Sequence, residues 1–211
     1  RPHPMSISTY AELKTAVEAW ATYTDITSVV PDFIAYAHQE IARGLRANVL
    51  LATADITVNA EYVSPPTGFL AFKRLYLDTS PRTFIATISA EAASDMMAKN
   101  GTDTYPTSVA VEGSQLHFAP AFSGSATGKA LYYKTPTVLS ADGDTNVVLT
   151  KYPYLYLWGA LEAVYLFKED DNMADRWGSR FRSLMADING MEARDLTSGP
   201  QNMTVAPGSI V

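Results

Sequence analysis

Apolar positions recur with a helical period of 3.6 near both ends of the chain and with a period of 2 in the middle. Near the start, Leu13, Ala16, Val17 and Trp20 fall on one face, and Thr9 stands three residues before Glu12 as in a capping box. The spacing predicts a helix over 10–21. A polar turn over 22–27 leads to a second stripe, Ile34, Ala37, Ile41 and Leu45. Ser28 is its expected cap, and Pro31 sits in the first turn, where amide hydrogens lack helical partners anyway. Gly44 is an expected point of fraying near its end, since glycine costs about 1 kcal/mol against alanine inside a helix.

Between Ala54 and Val148 short segments rich in Val, Ile, Thr, Tyr and Phe alternate with Pro, Gly and Asp punctuation, which reads as β structure. Strands are expected over 55–58, 72–77, 83–87, 108–111, 115–118 and 129–134. Glu112 and Gly113 supply a short hairpin turn. One helix interrupts this set: Ser89 can cap 90–99, with Ala93, Met96 and Met97 turned inward and Asn100-Gly101 as a left-handed stop.

The helical period returns after the turn Asp142-Gly143-Asp144. Thr150 is the expected cap of a helix over 151–167, with Pro153 in the first turn and Leu155, Trp158, Leu161, Val164 and Tyr165 making it apolar on nearly every side. Such a helix lies between layers. Glu162 is the only charge between Lys151 and Lys168, so it either points to an exposed edge, the preferred reading, or needs a partner. Asp170 or Asp171 then starts a last helix to about Arg194, with a narrow stripe of Trp177, Phe181, Leu184, Ile188 and Met191.

The order implies an α+β protein: a four-helix core with an inserted β-rich domain and an extended C-terminal arm. The expected parts are an N-terminal helical pair over 5–50, the insertion over 51–148, a C-terminal helical pair over 149–194 and the arm over 195–211. Residues 196–211 carry two Gly, two Pro and no apolar period, so nothing intramolecular offsets their chain entropy. Fully extended, they reach roughly 50 Å, enough to lie on a neighbour. A lattice contact and a tail folded over its own body are the alternatives. Arg1 to Pro4 precede Met5, an expected original start, and are left out of the fold argument.

Composition narrows the function. The 211 residues contain no Cys, which removes disulfide frameworks and thiolate zinc sites. A net charge of −6 argues against affinity built on gripping phosphates. No apolar run approaches the roughly 20 residues of a membrane span, no signal-peptide layout opens the chain, and a soluble protein is expected. Residues Gly124 to Ala130 differ from a phosphate-binding loop in glycine spacing, in Ala130 replacing a hydroxyl, and in preceding a strand. His38-Gln39-Glu40 lacks a second histidine one turn away, and His117 stands alone in a strand. Asp142-Gly143-Asp144 lacks the closing glutamate of a calcium loop, and Asp170-Asp171 is explained by helix capping. No cofactor, metal or catalytic residue is expected, so the protein reads as a non-enzyme. Tyr152, Tyr154 and Tyr156 cluster with Trp158, which suits a wet interface or half-buried core packing.

Several segments in order carry a resemblance: residues 7–13 (Ile-Ser-Thr-Tyr-Ala-Glu-Leu), Val30-Pro31-Asp32-Phe33-Ile34 leading to residues 41–46, and Gly68-Phe69-Leu70 followed by residues 73–77. Leu131-Tyr132-Tyr133 and the run from Leu149 to Leu161 continue it. Over residues 7–194 the chain resembles the head-to-tail adaptor, or connector, proteins of tailed bacteriophages, especially the short-tailed type. The resemblance implies a ring subunit, commonly one of twelve copies, placed in the virion neck between portal protein and tail or nozzle protein and made in the host cytoplasm. Helices would form the ring wall, the β insertion would face tail components, and DNA would pass through the lumen without specific binding. The arm would reach the portal, with Thr197, Met203, Val205, Ile210 and Val211 as its anchors.

A closed ring needs two different faces on each subunit. Arg176, Arg180 and Arg182, beside the apolar stripe of the last helix, are the candidate ring interface, with a solvated helix face as the alternative. The rival function is a glycan- or peptide-binding module in which Tyr62, Phe69, Tyr105 and Phe118 of the insertion hold the ligand. An unrecognised hydrolase is the third.

Overall fold

A computed structural model describes residues 7–23, 25–100, 102–103 and 105–197 of the chain. The expected arm anchors Met203, Val205, Ile210 and Val211, the segment before Met5 and the stop at Gly101 lie outside the described residues. The fold is mixed α+β and separates into two compact units. One is built from the chain up to Ala47 and from Val138 onward, the other from Asn48–Thr137.

The first unit is helical. Helix α1 (Tyr10–Ala21) starts with the expected capping box: Thr9 Oγ1 accepts the Glu12 amide, and the Glu12 carboxylate accepts the Thr9 amide. Its remaining first-turn amides find partners far along the chain, as Tyr10 and Ala11 donate to the carbonyls of Asp144 and Asp142 at 2.9 and 3.0 Å. The Asp142–Asp144 turn therefore belongs with the helices, and the boundary expected at residue 148 falls at Thr137. Helix α2 (Val30–Gly44) is preceded by Val29 with no side-chain cap, so Ser28 does not cap it. A turn in which Ile26 accepts the amides of Val29 and Val30 starts it instead.

The expected helix over 151–167 is present from Pro153 to Phe167, and a separate short helix precedes it. The third helix of this unit, Val147–Lys151, is capped by Asn146, whose side-chain oxygen accepts the amides of Val148 and Leu149. Thr150 spends its hydroxyl on the Asn146 carbonyl and caps nothing. Pro153 then opens the fourth helix, Pro153–Phe167, because a residue without an amide hydrogen fits the first turn. The last helix, Asp171–Thr197, starts where Asp170 accepts the Met173 amide, and it carries Thr197 as a helical residue. The fourth helix packs on α1, α2 and the last helix, which explains why its sequence is apolar nearly all round. Asn189 of the last helix holds the end of α2: it accepts the Arg46 amide and donates to the Gly44 carbonyl. Trp20, expected on the buried face of α1, is 46% exposed, and Met191, expected in the last helix's stripe, is also exposed.

The second unit is a curled sheet with one helix. Its strands are β1 (Leu51–Val58), β2 (Tyr62–Val63), β3 (Phe69–Leu77), β4 (Thr83–Thr87), β5 (Thr102–Asp103), β6 (Ser108–Glu112), β7 (Gln115–Ala119), β8 (Ala121–Phe122) and β9 (Ala126–Lys134). Helix α3 (Ala90–Asn100) lies between β4 and β5; counted with it, the helices after Asp142 are α4 (Val147–Lys151), α5 (Pro153–Phe167) and α6 (Asp171–Thr197). The main sheet runs β1-β9-β3-β4-β6-β7-β2, and β5 pairs with β8 in a separate ladder. Strand β4 makes the corner: Thr83 to Ile85 pair with β3, while Ala86 and Thr87 pair in parallel with β6. Ile56, Val58, Leu75, Leu77, Ile85, Val109, Leu116, Phe118, Ala130 and Tyr132 fill the interior.

Strand order proves the curl. β1 and β2 are at opposite ends of the sheet, yet only residues 59–61 join them. A flat sheet of seven strands would hold its outer strands about 29 Å apart, whereas four Cα steps reach at most ~15 Å. The sheet therefore rolls until its two ends approach, and among the described residues no ladder joins them.

Candidate interaction surfaces

In the helical unit, α5 and α6 place a buried carboxylate opposite a guanidinium. Glu162 is 8% exposed, and its Oε1 accepts a hydrogen bond from Arg182 at 2.9 Å. The exposed-edge reading of Glu162 is thus corrected: the carboxylate is buried and paired. It fills the space that a Cβ on Gly178 would occupy, so a small residue on α6 is required there. Of the three arginines read as a ring interface, Arg182 is engaged within its own chain, and Arg180 lies over the Trp177 ring at 4.9 Å. Arg176 is exposed and has no ion-pair partner among the described residues.

Beside them is an aromatic patch contributed by three helices. Trp20 of α1 meets Trp177 of α6 edge-on at 5.9 Å and Tyr154 of α5 at 6.5 Å, and Tyr154 meets Trp158 at 5.9 Å. Trp20 and Tyr154 are exposed, while the buried indole N–H of Trp158 has no acceptor among the described residues. The tyrosine cluster of the sequence is divided by this geometry. Tyr154 joins the surface patch, whereas Tyr156 is fully buried and makes a polar relay. Its hydroxyl accepts from Asn146 Nδ2 at 2.9 Å and lies 2.9 Å from His38 Nδ1, to which it donates when His38 is neutral with its proton on Nε2. Burial pushes the Tyr156 phenol up to about 12 and holds His38 below the usual histidine range.

In the sheet unit, the outer face of β1, β9 and β3 forms a shallow depression of about 380 Å³ lined by Thr53, Asp55, Arg74, Tyr76, Lys129 and Leu131. Lys129 pairs with Asp55 at 2.7 Å, so the lysine of the loop-like segment 124–130 serves a cross-strand ion pair on β9. Arg74 and Arg82 lie over the Tyr76 ring at 5.9 and 4.9 Å.

His117 is not isolated, as its sequence context suggested. It is buried on β7 between two carboxylates, with Nδ1 2.6 Å from Glu112 Oε1 and Nε2 3.1 Å from Glu61 Oε1. The second contact is close but not aligned for a hydrogen bond. Tyr62 stacks on the imidazole at 4.6 Å. The signal was present in the register: His117 faces Tyr62 and Ala110 across its two ladders, which brings Glu61 and Glu112 to its sides. Among the described residues no group of three or more His, Asp or Glu side chains is arranged to hold a metal.

The four aromatic residues proposed for a ligand pocket do not converge. Phe118 is in the interior, Phe69 packs on Phe72 and Tyr132, Tyr105 packs on Phe122, and Tyr62 covers His117. None lines the depression.

With surfaces made of ion pairs, stacked rings and strand edges, the comparison with known proteins decides the class. The sequence matches the SU10 adaptor protein family over residues 8–204. The chain belongs to that family. It is therefore a phage adaptor protein, and the match spans both the helical unit and the sheet unit. No curated protein shows a significant match to the chain. Virion neck placement fits an adaptor, and no helix among the described residues is long and apolar enough to cross a membrane.

Proposed function

We propose that this adaptor is a subunit of a ring, of the kind found in short-tailed phages, that joins the portal protein to the tail and encloses the DNA channel. The observation that carries the reading is the adaptor match over residues 8–204. Packing of α1, α2 and α6 around α5 supports a helical core stiff enough to act as a ring wall. The ring is a homo-dodecamer in this reading, with the sheet unit directed to the tail or nozzle protein. Residues 198–211, after α6, are the proposed arm to the portal.

Ring closure requires that one subunit face recognise a different face of the next. Arg176 and Arg180 are the proposed contacts on α6, since the Arg182 guanidinium is held by Glu162. The acidic balance of −6 supports a lumen that lets DNA slide without specific binding. Electron microscopy of the protein mixed with portal tests the reading. A ring seated on the portal is the expected result; a monomer that leaves the portal bare refutes it. Removing residues 198–211 should leave the fold intact and abolish portal attachment, and unchanged attachment refutes the arm.

A further inference from the structure

The seam of the curled sheet is an unused strand edge. β1 is eight residues long and pairs one-to-one with β9 from Leu51↔Tyr133 to Val58↔Ala126 without a bulge. It contains no proline, and β9 is its only ladder partner among the described residues. At the other side of the seam β2 offers only Tyr62 and Val63 before Pro65-Pro66, which have no amide hydrogens to donate. Natural sheets protect long edges with bulges, prolines or covering segments. Here, among the described residues, a regular row of backbone donors and acceptors on β1 has no ladder partner.

We propose that this seam receives an extended basic segment of a partner protein, which adds to β1 as a further strand. Backbone pairing supplies the attraction, and the side chains of β1 set the partner's pattern. Ile56 and Val58 point into the core with the partly buried Ala52 and Ala54 beside them, while Thr53, Asp55 and Thr57 point outward. The incoming strand must therefore alternate apolar and polar residues. Charge selects its sign. Asp55 of β1 and Glu61, just before β2, border the seam with side chains 67% and 40% exposed, Asp55 paired with Lys129 of β9 and Glu61 beside His117 of β7. Lysine or arginine on the outward positions complements that border; glutamate opposes it. The inference is independent of ring formation, because it concerns only the sheet unit's own edge.

Hydrogen–deuterium exchange of residues 51–58 in the full chain tests it, with an octapeptide alternating Val and Lys as the probe. Alternate amides of β1 should exchange rapidly in the free protein and at least tenfold more slowly with the peptide bound. Asp55→Asn should weaken peptide binding about threefold or more in fluorescence anisotropy. A same-charge peptide interrupted by proline should give no protection, since it cannot complete the ladder. Equal protection by a Val-Glu octapeptide or by an oligothymidylate would overturn the proposal. So would full protection of all β1 amides in the free chain, either as a monomer or as a β1-to-β1 dimer by mass.

Discussion

Glu162 and Arg182 are joined at 2.9 Å across α5 and α6, with the carboxylate buried and the guanidinium reaching out to solvent. Asymmetry of this kind makes removal of the exposed partner costly, because the buried acceptor is then left without its charge-assisted hydrogen bond. Arg182→Met should lower unfolding free energy by about 1–3 kcal/mol in urea titration. Arg176→Met, at an exposed position with no ion pair among the described residues, should change it by less than about 0.5 kcal/mol. Equal effects would show that the pair contributes nothing special.

Asn146 serves two structures at once. It caps α4 through two amides and donates to the Tyr156 hydroxyl. Asn146→Ala should therefore cost about 2 kcal/mol, more than the ~1 kcal/mol typical of a lost cap alone. Asn146→Asp keeps the cap acceptor and loses the donor, so it should fall between wild type and alanine. Thermal unfolding followed by circular dichroism gives the order.

Stability should decline at both pH extremes for reasons traceable to the buried relay. His38 is held below its ordinary value of 6.5 by burial, so the unfolded chain binds its proton more readily. Its contribution is present above about pH 6.5 and is lost as the pH falls below that value. Tyr156 has the opposite sign: with its phenol pushed up to about 12, its contribution is present below pH 10 and is lost as the pH rises through 12. His38→Gln should flatten the acid side of the profile, and Tyr156→Phe the alkaline side. Urea midpoints measured from pH 5 to 11 check both.

Gly128 of β9 has no room for a side chain. A Cβ there would collide with the Tyr76 carbonyl on β3, a backbone atom that cannot rotate away. Gly128→Ala should destabilise the sheet unit by about 1–3 kcal/mol or more through forced overpacking. Gly143→Ala, whose Cβ would meet nothing within 4 Å, serves as the control. Similar losses in both variants would contradict the steric account.

The period of the apolar pattern and the local capping chemistry were sufficient for much of the secondary structure. Helix α1 and its capping box, strand β4, the start of α6 at Asp170 and the Glu112-Gly113 hairpin all follow from residues within a few positions of one another. Short strands were harder to read. β2, β5 and β8 each have two residues, too few for a period to register, and their ladders depend on partners distant in sequence. The same limit explains the cap expected at Thr150: that residue lies inside α4, which Asn146 caps, and the bond of Asn146 to Tyr156 forms only when the helices are packed.

The sequence by itself determined the alternation of helical and extended segments and the family to which its ordered packing motifs point. Those properties depend on local spacing and residue chemistry. Only the tertiary structure decided that Glu162 is paired, that His117 lies between two carboxylates, that Phe118 is core and that β1 has β9 as its single ladder partner among the described residues. Each depends on which segments meet across tens of residues. The physical reason is that burial and pairing are properties of contacts, and a one-dimensional pattern fixes the face a side chain occupies without fixing what stands opposite it.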